Sequence, residues 1–199
     1  MSSKQIAIFS WSIPQGGLPK VMLKEYYHFK KRNISAIVLT QNIIPEAYIS
    51  EFRNIGSENC VVVTPNTKCR KKDISDFLPG VKVSMNGSIL RNAISLDRYL
   101  KERDFSVIIA HQLLSAYILM PYCIMHRKPF VLILHDNPFL FMKEKNLKKM
   151  SIIRRFEATL VYLLSNIVIL ASKSTVCTTP QIKEEVESNL KIHKVLLVA

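Results

Sequence analysis

The sequence is short of glycine. It has five in 199 residues. None falls in the G-x-G-x-x-G spacing of a dinucleotide-binding turn, and no phosphate loop ending in Gly-Lys-Ser/Thr is present. A nicotinamide dehydrogenase and a P-loop nucleotide hydrolase are therefore set aside. Cysteine is sparse too. Cys60, Cys69, Cys123 and Cys177 form no C-x-x-C pair and no zinc pattern with a histidine, so no metal site is expected. Scattered thiols fit a reducing cytoplasm better than a disulfide scaffold. Cys60, at the head of a valine run, reads as a small buried apolar residue. Long apolar runs are missing. The longest, Leu160–Leu164 and Ile167–Ala171, are parted by Ser165 and Asn166, and roughly 20 apolar residues are needed to span a bilayer. The apolar stretch after Lys4 is too short for a secretory signal. Acidic residues are scarce, with 15 Asp plus Glu against 28 Lys plus Arg and a formal net charge of +13. That surplus points to an anionic partner: phospholipid, nucleotide or nucleic acid. Nucleic acid has no motif behind it, because stacking aromatic–glycine motifs, zinc fingers and a helix-turn-helix are all absent.

What is present is apolar sequence in short pieces. Hydrophobic residues make up 48% of the chain, enough for one sizeable core. Near-continuous apolar runs, as expected of strands buried on both faces, occur at Ile6–Ser10, Ala36–Thr40, Cys60–Thr64, Val107–Ala110, Phe130–His135, Ile167–Ala171 and Lys194–Val198. Helical patterns separate them: Pro19 to Arg32, Pro45 to Ile55, a segment capped by Ser88, Gln112 to His126, Asn146 to Leu164, and Pro180 to Leu190. Pro19 suits a first helical turn, and Asn33 suits a left-handed helix end. Asn66–Asp73 reads as a solvated basic loop, and Val81–Met85 is ambiguous between strand and loop. There is no internal repeat and no low-complexity linker. The alternation predicts one Rossmann-like α/β domain over residues 1–199, with a mostly parallel sheet and helices on both faces.

Polar features gather at the ends of these strands. Gly16 and Gly17 stand in the turn between the first strand and the first helix. Strand, glycine turn and helix together can bring backbone N–H groups against a phosphate or sugar. Equally, the pair can serve a tight turn that needs positive φ. His111 follows the Val107 strand, and His135 with Asp136 ends the Phe130 strand. Ligands of open α/β sheets sit beyond the carboxyl ends of the strands, so these features are expected on one rim. There each histidine either binds a sugar hydroxyl or phosphate or satisfies a loop backbone group. His28, His126 and His193 carry no assignment.

A third constellation is basic. Lys143, Lys145, Lys148, Lys149, Arg154 and Arg155 make six cations against the single acid Glu144. Phe139, Leu140, Phe141 and Met142 precede them, and Ile152, Ile153, Phe156, Leu160 and Leu163 recur at helical spacing. Apolar residues beside a cationic face describe a membrane-surface helix. The competing reading is a core-facing helix with a solvated basic edge. The membrane reading is preferred over Phe139–Met150 and the core reading over Phe156–Leu164.

The order of these motifs resembles the N-terminal domain of the family-four, GT-B fold glycosyltransferases. Ile6–Ser10 with Pro14-Gln15-Gly16-Gly17 is similar to that family's opening strand and Pro-x-Gly-Gly loop, and Phe105–His111 to its strand ending in histidine. Phe130–Asp136 is similar to its strand ending in His-Asp. Phe156–Ser172 resembles its glutamate-bearing helix and the strand ending in serine, with Glu157 and Ser172 at those two places. The resemblance implies the acceptor-binding half of a retaining transferase that moves a sugar from a nucleotide-sugar to a lipid or glycan acceptor. No cofactor is implied beyond that donor substrate. It further implies that Gly16 and Gly17 approach the donor phosphate or sugar, that His135 contacts a sugar hydroxyl with Asp136 orienting it, and that His111 lines the acceptor side. The family's donor-nucleotide domain would begin where this chain ends, so the chain is expected to be inactive without a separate donor-binding domain. Two other readings stand beside it. One is a non-catalytic membrane-docking or scaffold protein that keeps the fold; the other is a subunit completed by a partner. Cytoplasmic location, peripheral at an anionic membrane, fits each of them.

Overall fold

The computed structural model describes residues 5–11, 17–41, 44, 46–63, 89–139, 152–190 and 195–197. Among these residues the strands are β1 (Gln5–Ser10), β2 (Ala36–Thr40), β3 (Cys60–Val62), β4 (Phe105–His111), β5 (Phe130–Leu134), β6 (Ser174–Cys177) and β7 (Val195–Leu197). The helices are α1 (Gly17–Lys31), α2 (Glu46–Asn54), α3 (Ile89–Lys101), α4 (Leu113–Met125), α5 (Ile152–Ala171) and α6 (Pro180–Leu190). The strands form one seven-stranded sheet in the order β3-β2-β1-β4-β5-β6-β7. Every neighbouring pair is parallel. The chain runs outward through β1, β2 and β3 and then returns to place β4 against β1, which creates a topological switch point between those two strands.

Strand alternation assigns the two faces. Ala7, Phe9, Ile37 and Leu39 join α3 and α4 residues such as Leu96, Leu100, Ala116 and Leu119 in one core cluster. Ile8 and Val38 join Met22, Leu23 and Tyr26 of α1 and Phe52 of α2 in the other. Helices therefore cover both faces, as the sequence pattern predicts.

Helix ends follow local chemistry. Asn33 adopts φ 55° after α1, with Ile34 N–H donating to Phe29 O at 3.0 Å and Asn33 N–H to Lys30 O at 3.1 Å. This is a Schellman end, with asparagine at the left-handed position. Arg127 ends α4 in the same way at φ 50°, with Lys128 N–H donating to Cys123 O at 2.9 Å.

One strand expectation is corrected. Ile167–Ala171 is the last part of the 20-residue helix α5, not a strand. Val168 and Ile169 are buried there, whereas Ile167 and Leu170 are exposed, as a helix through an apolar run requires. The sixth strand is the more polar Ser174–Cys177, which buries Thr175 and Cys177. Ser172 accordingly does not end a strand. It lies between α5 and β6, where its hydroxyl bonds Ile169 O at 2.7 Å and pairs with Thr175 Oγ1 at 2.9 Å. The basic loop Asn66–Asp73, Val81–Met85 and the Ser88 cap lie outside the described residues.

Candidate functional site at the carboxyl rim

Because all strands are parallel, Ser10, His111 and Leu134 end at the same edge of the sheet. The exit from β1 is pinned at Trp11. Its N–H donates to Ser115 Oγ of α4 at 2.8 Å, and its carbonyl accepts from Gln41 N–H at 3.3 Å. Gly16 lies outside the described residues. Gly17 opens α1 on this rim. It has no positive φ, and an added Cβ would meet nothing within 4 Å. The tight-turn reading is therefore not what Gly17 serves, since the residue faces open space at a helix N-terminus.

The two histidines come together. β4 and β5 are neighbours with His111 in register with Ile133, and His135 follows two residues later. His111 Nδ1 lies 3.0 Å from His135 Nε2, and the rings stack at 5.3 Å between centroids. The far nitrogen of His111, Nε2, lies 2.9 Å from Glu25 Oε2 on α1. His111 is wholly buried and His135 is half-buried. Burial, and then the neighbouring His111, hold the His135 pKa below its ordinary 6.5, against the upward pull of Glu25 and Asp136. His135 is thus kept neutral near pH 7. Its ring meets His111, while Asp136, the next residue, is exposed and its charge acts on the His135 ring. Glu25 escaped the sequence reading. Its signal was an acid three residues after Met22, at the margin of the sheet-facing stripe of α1.

His135 and Asp136 line a cavity of about 290 Å³ with Gln112, Leu113, Leu114 and Asn137. Gly17 shares the rim but is not part of this lining. Gln112 turns the chain from β4 into α4 at φ 69°, ψ 152°, a conformation that side-chain-bearing residues rarely adopt. It is held by its N–H donating to Ile133 O at 2.9 Å. No side chain caps α4, so its positive dipole end meets the cavity wall. Asn137 fixes the loop after His135. Its Oδ1 accepts from Phe139 N–H at 2.9 Å, and its amide donates to Glu185 of α6.

Elsewhere the chemistry is structural. Among the described residues no group of three His, Cys, Asp or Glu is placed to hold a metal ion. Burial pushes the Cys60 and Cys123 thiols up to about 12 and Cys177 up to about 11, which removes them as nucleophiles. His126 pairs with Asp97 at 3.1 Å, near the amino edge.

Lys143, Lys145, Lys148 and Lys149 lie outside the described residues, and Arg154 and Arg155 are placed only as part of helix α5. Phe139 is not membrane-facing. It is buried in the core, with its ring 5.4 Å from that of Tyr162. In Phe156–Leu164, Tyr162 packs against the core cluster, whereas Leu163 is 51% exposed. No helix among the described residues is long and apolar enough to cross a membrane.

A seven-stranded parallel sheet with a polar rim at its switch point is a Rossmann-like domain of the kind that makes one half of a GT-B glycosyltransferase. The family model for Glycosyltransferase Family 4 matches residues 22–198, and the chain belongs to that family. Solved structures agree on the fold. Sucrose-phosphate synthase from Thermosynechococcus elongatus superposes with a TM-score of 0.62 at 11% identity, over 98% of this chain and 47% of that one. MurG from Acinetobacter baumannii gives a TM-score of 0.54 at 9% identity, over 98% and 45%. A Listeria monocytogenes protein described as a UDP-N-acetylglucosamine 2-epimerase gives 0.58 at 10%, over 98% and 45%. The chain spans about half the length of the solved structures it matches. At these identities the likeness carries the fold alone. No curated protein sequence matches the chain.

Proposed function

We propose that this chain is the acceptor-side half of a retaining glycosyltransferase, moving a sugar from a nucleotide-sugar to a lipid or glycan acceptor at an anionic membrane surface. The observation that carries the reading is the meeting of His111 and His135 at the carboxyl rim of a chain whose family match runs over residues 22–198. In this reading Gly16 and Gly17 leave room for the donor phosphate or sugar to approach the N-terminus of α1. His135 meets a sugar hydroxyl, and His111 backs it from the buried side. Positive helix ends, those of α1 and α4, stabilise the leaving diphosphate. A separate donor-binding domain supplies the remaining nucleotide contacts, so the chain alone turns nothing over.

Membrane docking draws support from the charge of +13 and from an exposed apolar row on α5. Leu163, Ile167 and Leu170 in that row are 51%, 50% and 59% exposed. Such a row also favours a second reading, a non-catalytic docking or scaffold protein that retains the fold.

Backbone amide shifts of the chain titrated with UDP-glucose and with UDP-N-acetylglucosamine test the site. Shifts at Gly17, Gln112, Leu113 and Asp136 are expected. Shifts confined to the amino edge around Cys123–Pro129, or none anywhere, would count against the proposed rim.

A further inference from the structure

Three side chains from distant parts of the sequence form one hydrogen-bonded line. Glu25 Oε2 is 2.9 Å from His111 Nε2, and His111 Nδ1 is 3.0 Å from His135 Nε2. An ionised carboxylate can only accept, so His111 Nε2 carries a hydrogen and donates to Glu25. When His111 is neutral its Nδ1 then holds a lone pair, and the short contact to His135 requires that His135 Nε2 be the donor. The second nitrogen of His135, Nδ1, has no hydrogen-bond partner among the described residues, and its ring lines the cavity. Glu25 from α1, His111 from β4 and Asp136 beside the ring are the charged and titratable groups acting on His135. Glu185 from α6 is engaged by Asn137.

We propose that Glu25 is a positioning residue. Through His111 it fixes the proton of His135 on Nε2, so that Nδ1 stands as a hydrogen-bond acceptor for a neutral hydroxyl group, as a sugar supplies, in preference to a phosphate. The ligand class rests on the sugar-transfer reading above; the proton arrangement does not.

The test is long-range ¹H–¹⁵N spectroscopy of the imidazole rings in the full chain at pH 8. Wild-type protein is expected to show protonated Nε2 and bare Nδ1 on both histidines. Glu25→Leu removes the acceptor, and both rings should move toward a mixture of tautomers. Glu25→Gln, whose amide oxygen can still accept, should stay close to the wild type. Protonated Nδ1 on His135 in the wild type overturns the proposal even if the leucine variant fails to fold. So does a His135 spectrum that Glu25→Leu leaves unchanged. In a second arm, methyl α-D-glucopyranoside should shift His135 Nδ1 and inorganic phosphate at equal concentration should not; the reverse overturns the ligand class. A Nδ1 silent to both overturns the sugar site and leaves the proton arrangement standing, so the two failures are distinguishable.

Discussion

His111 and His135 share a 3.0 Å nitrogen–nitrogen contact at the ends of two adjacent parallel strands. It is a relationship between a wholly buried ring and one that reaches a cavity, and it couples the core of the sheet to its rim.

That coupling gives a pH dependence. His135 in the folded chain has its pKa held below the ordinary 6.5 by burial and by His111. The unfolded chain therefore binds more protons in the window below about 6.5, so stability rises with pH across that window and is lost as acid is added. Denaturant unfolding at pH 7.5 and pH 5.5 should show lower stability at the acid value. His135→Gln should shrink the difference, and an undiminished difference contradicts the assignment.

Gly17 separates fold from function. An added Cβ meets open space there, with no positive φ to strain it. Gly17→Ala should leave folding stability unchanged or raise it by up to about 1 kcal/mol, because alanine is the better helix residue. Nucleotide-sugar binding should fall, because the methyl group fills the approach to the α1 N-terminus. Unaltered binding in the amide-shift titration would remove Gly17 from the site.

Arg127 holds a left-handed conformation that glycine adopts without cost. Arg127→Gly should stabilise the fold by about 1 kcal/mol, raising Tm by roughly 2–4 °C in a domain of this size. Arg127→Ala should not. Calorimetry of the two variants decides; equal behaviour would mean that the left-handed turn carries no strain.

The basic segment gives a prediction from sequence chemistry. Anionic vesicles should bind the chain in low salt and lose it in high salt, where the Debye length shrinks to about 3 Å at 1 M. Basic residues near such a surface contribute on the order of 1 kcal/mol each. The triple variant Lys145→Glu, Lys148→Glu, Lys149→Glu should stay in the supernatant after sedimentation, and co-sedimentation equal to wild type would rule out this segment as the membrane contact.

Much of the fold was legible because buried parallel strands write themselves as short apolar runs, as Ala36–Thr40 and Phe130–Leu134 do. Asn33 was legible because few residues besides glycine tolerate its conformation. The sixth strand was not, because local hydrophobicity and topology disagree there. α5 carries the apolar run Ile167–Ala171, while β6, flanked by β5 and β7, satisfies Thr175 through Ser172. The two histidines could be placed on a rim from strand order alone. Their contact, and the part played by Glu25, could not be read from sequence. Both depend on β4 lying beside β5, and on a helix whose third turn, 86 positions away, reaches His111.

The most direct measurement of the central claim is an add-back transfer assay. Membranes and extract from cells lacking this protein would receive radiolabelled nucleotide-sugars with purified wild-type chain, with His135→Ala, or with no addition. Purified chain with donor and lipid extract alone would run beside them. The account predicts that wild-type chain restores label in lipid or glycan, that His135→Ala does not, and that the purified chain alone gives none. Equal restoration by His135→Ala, or transfer by the chain alone, would contradict it.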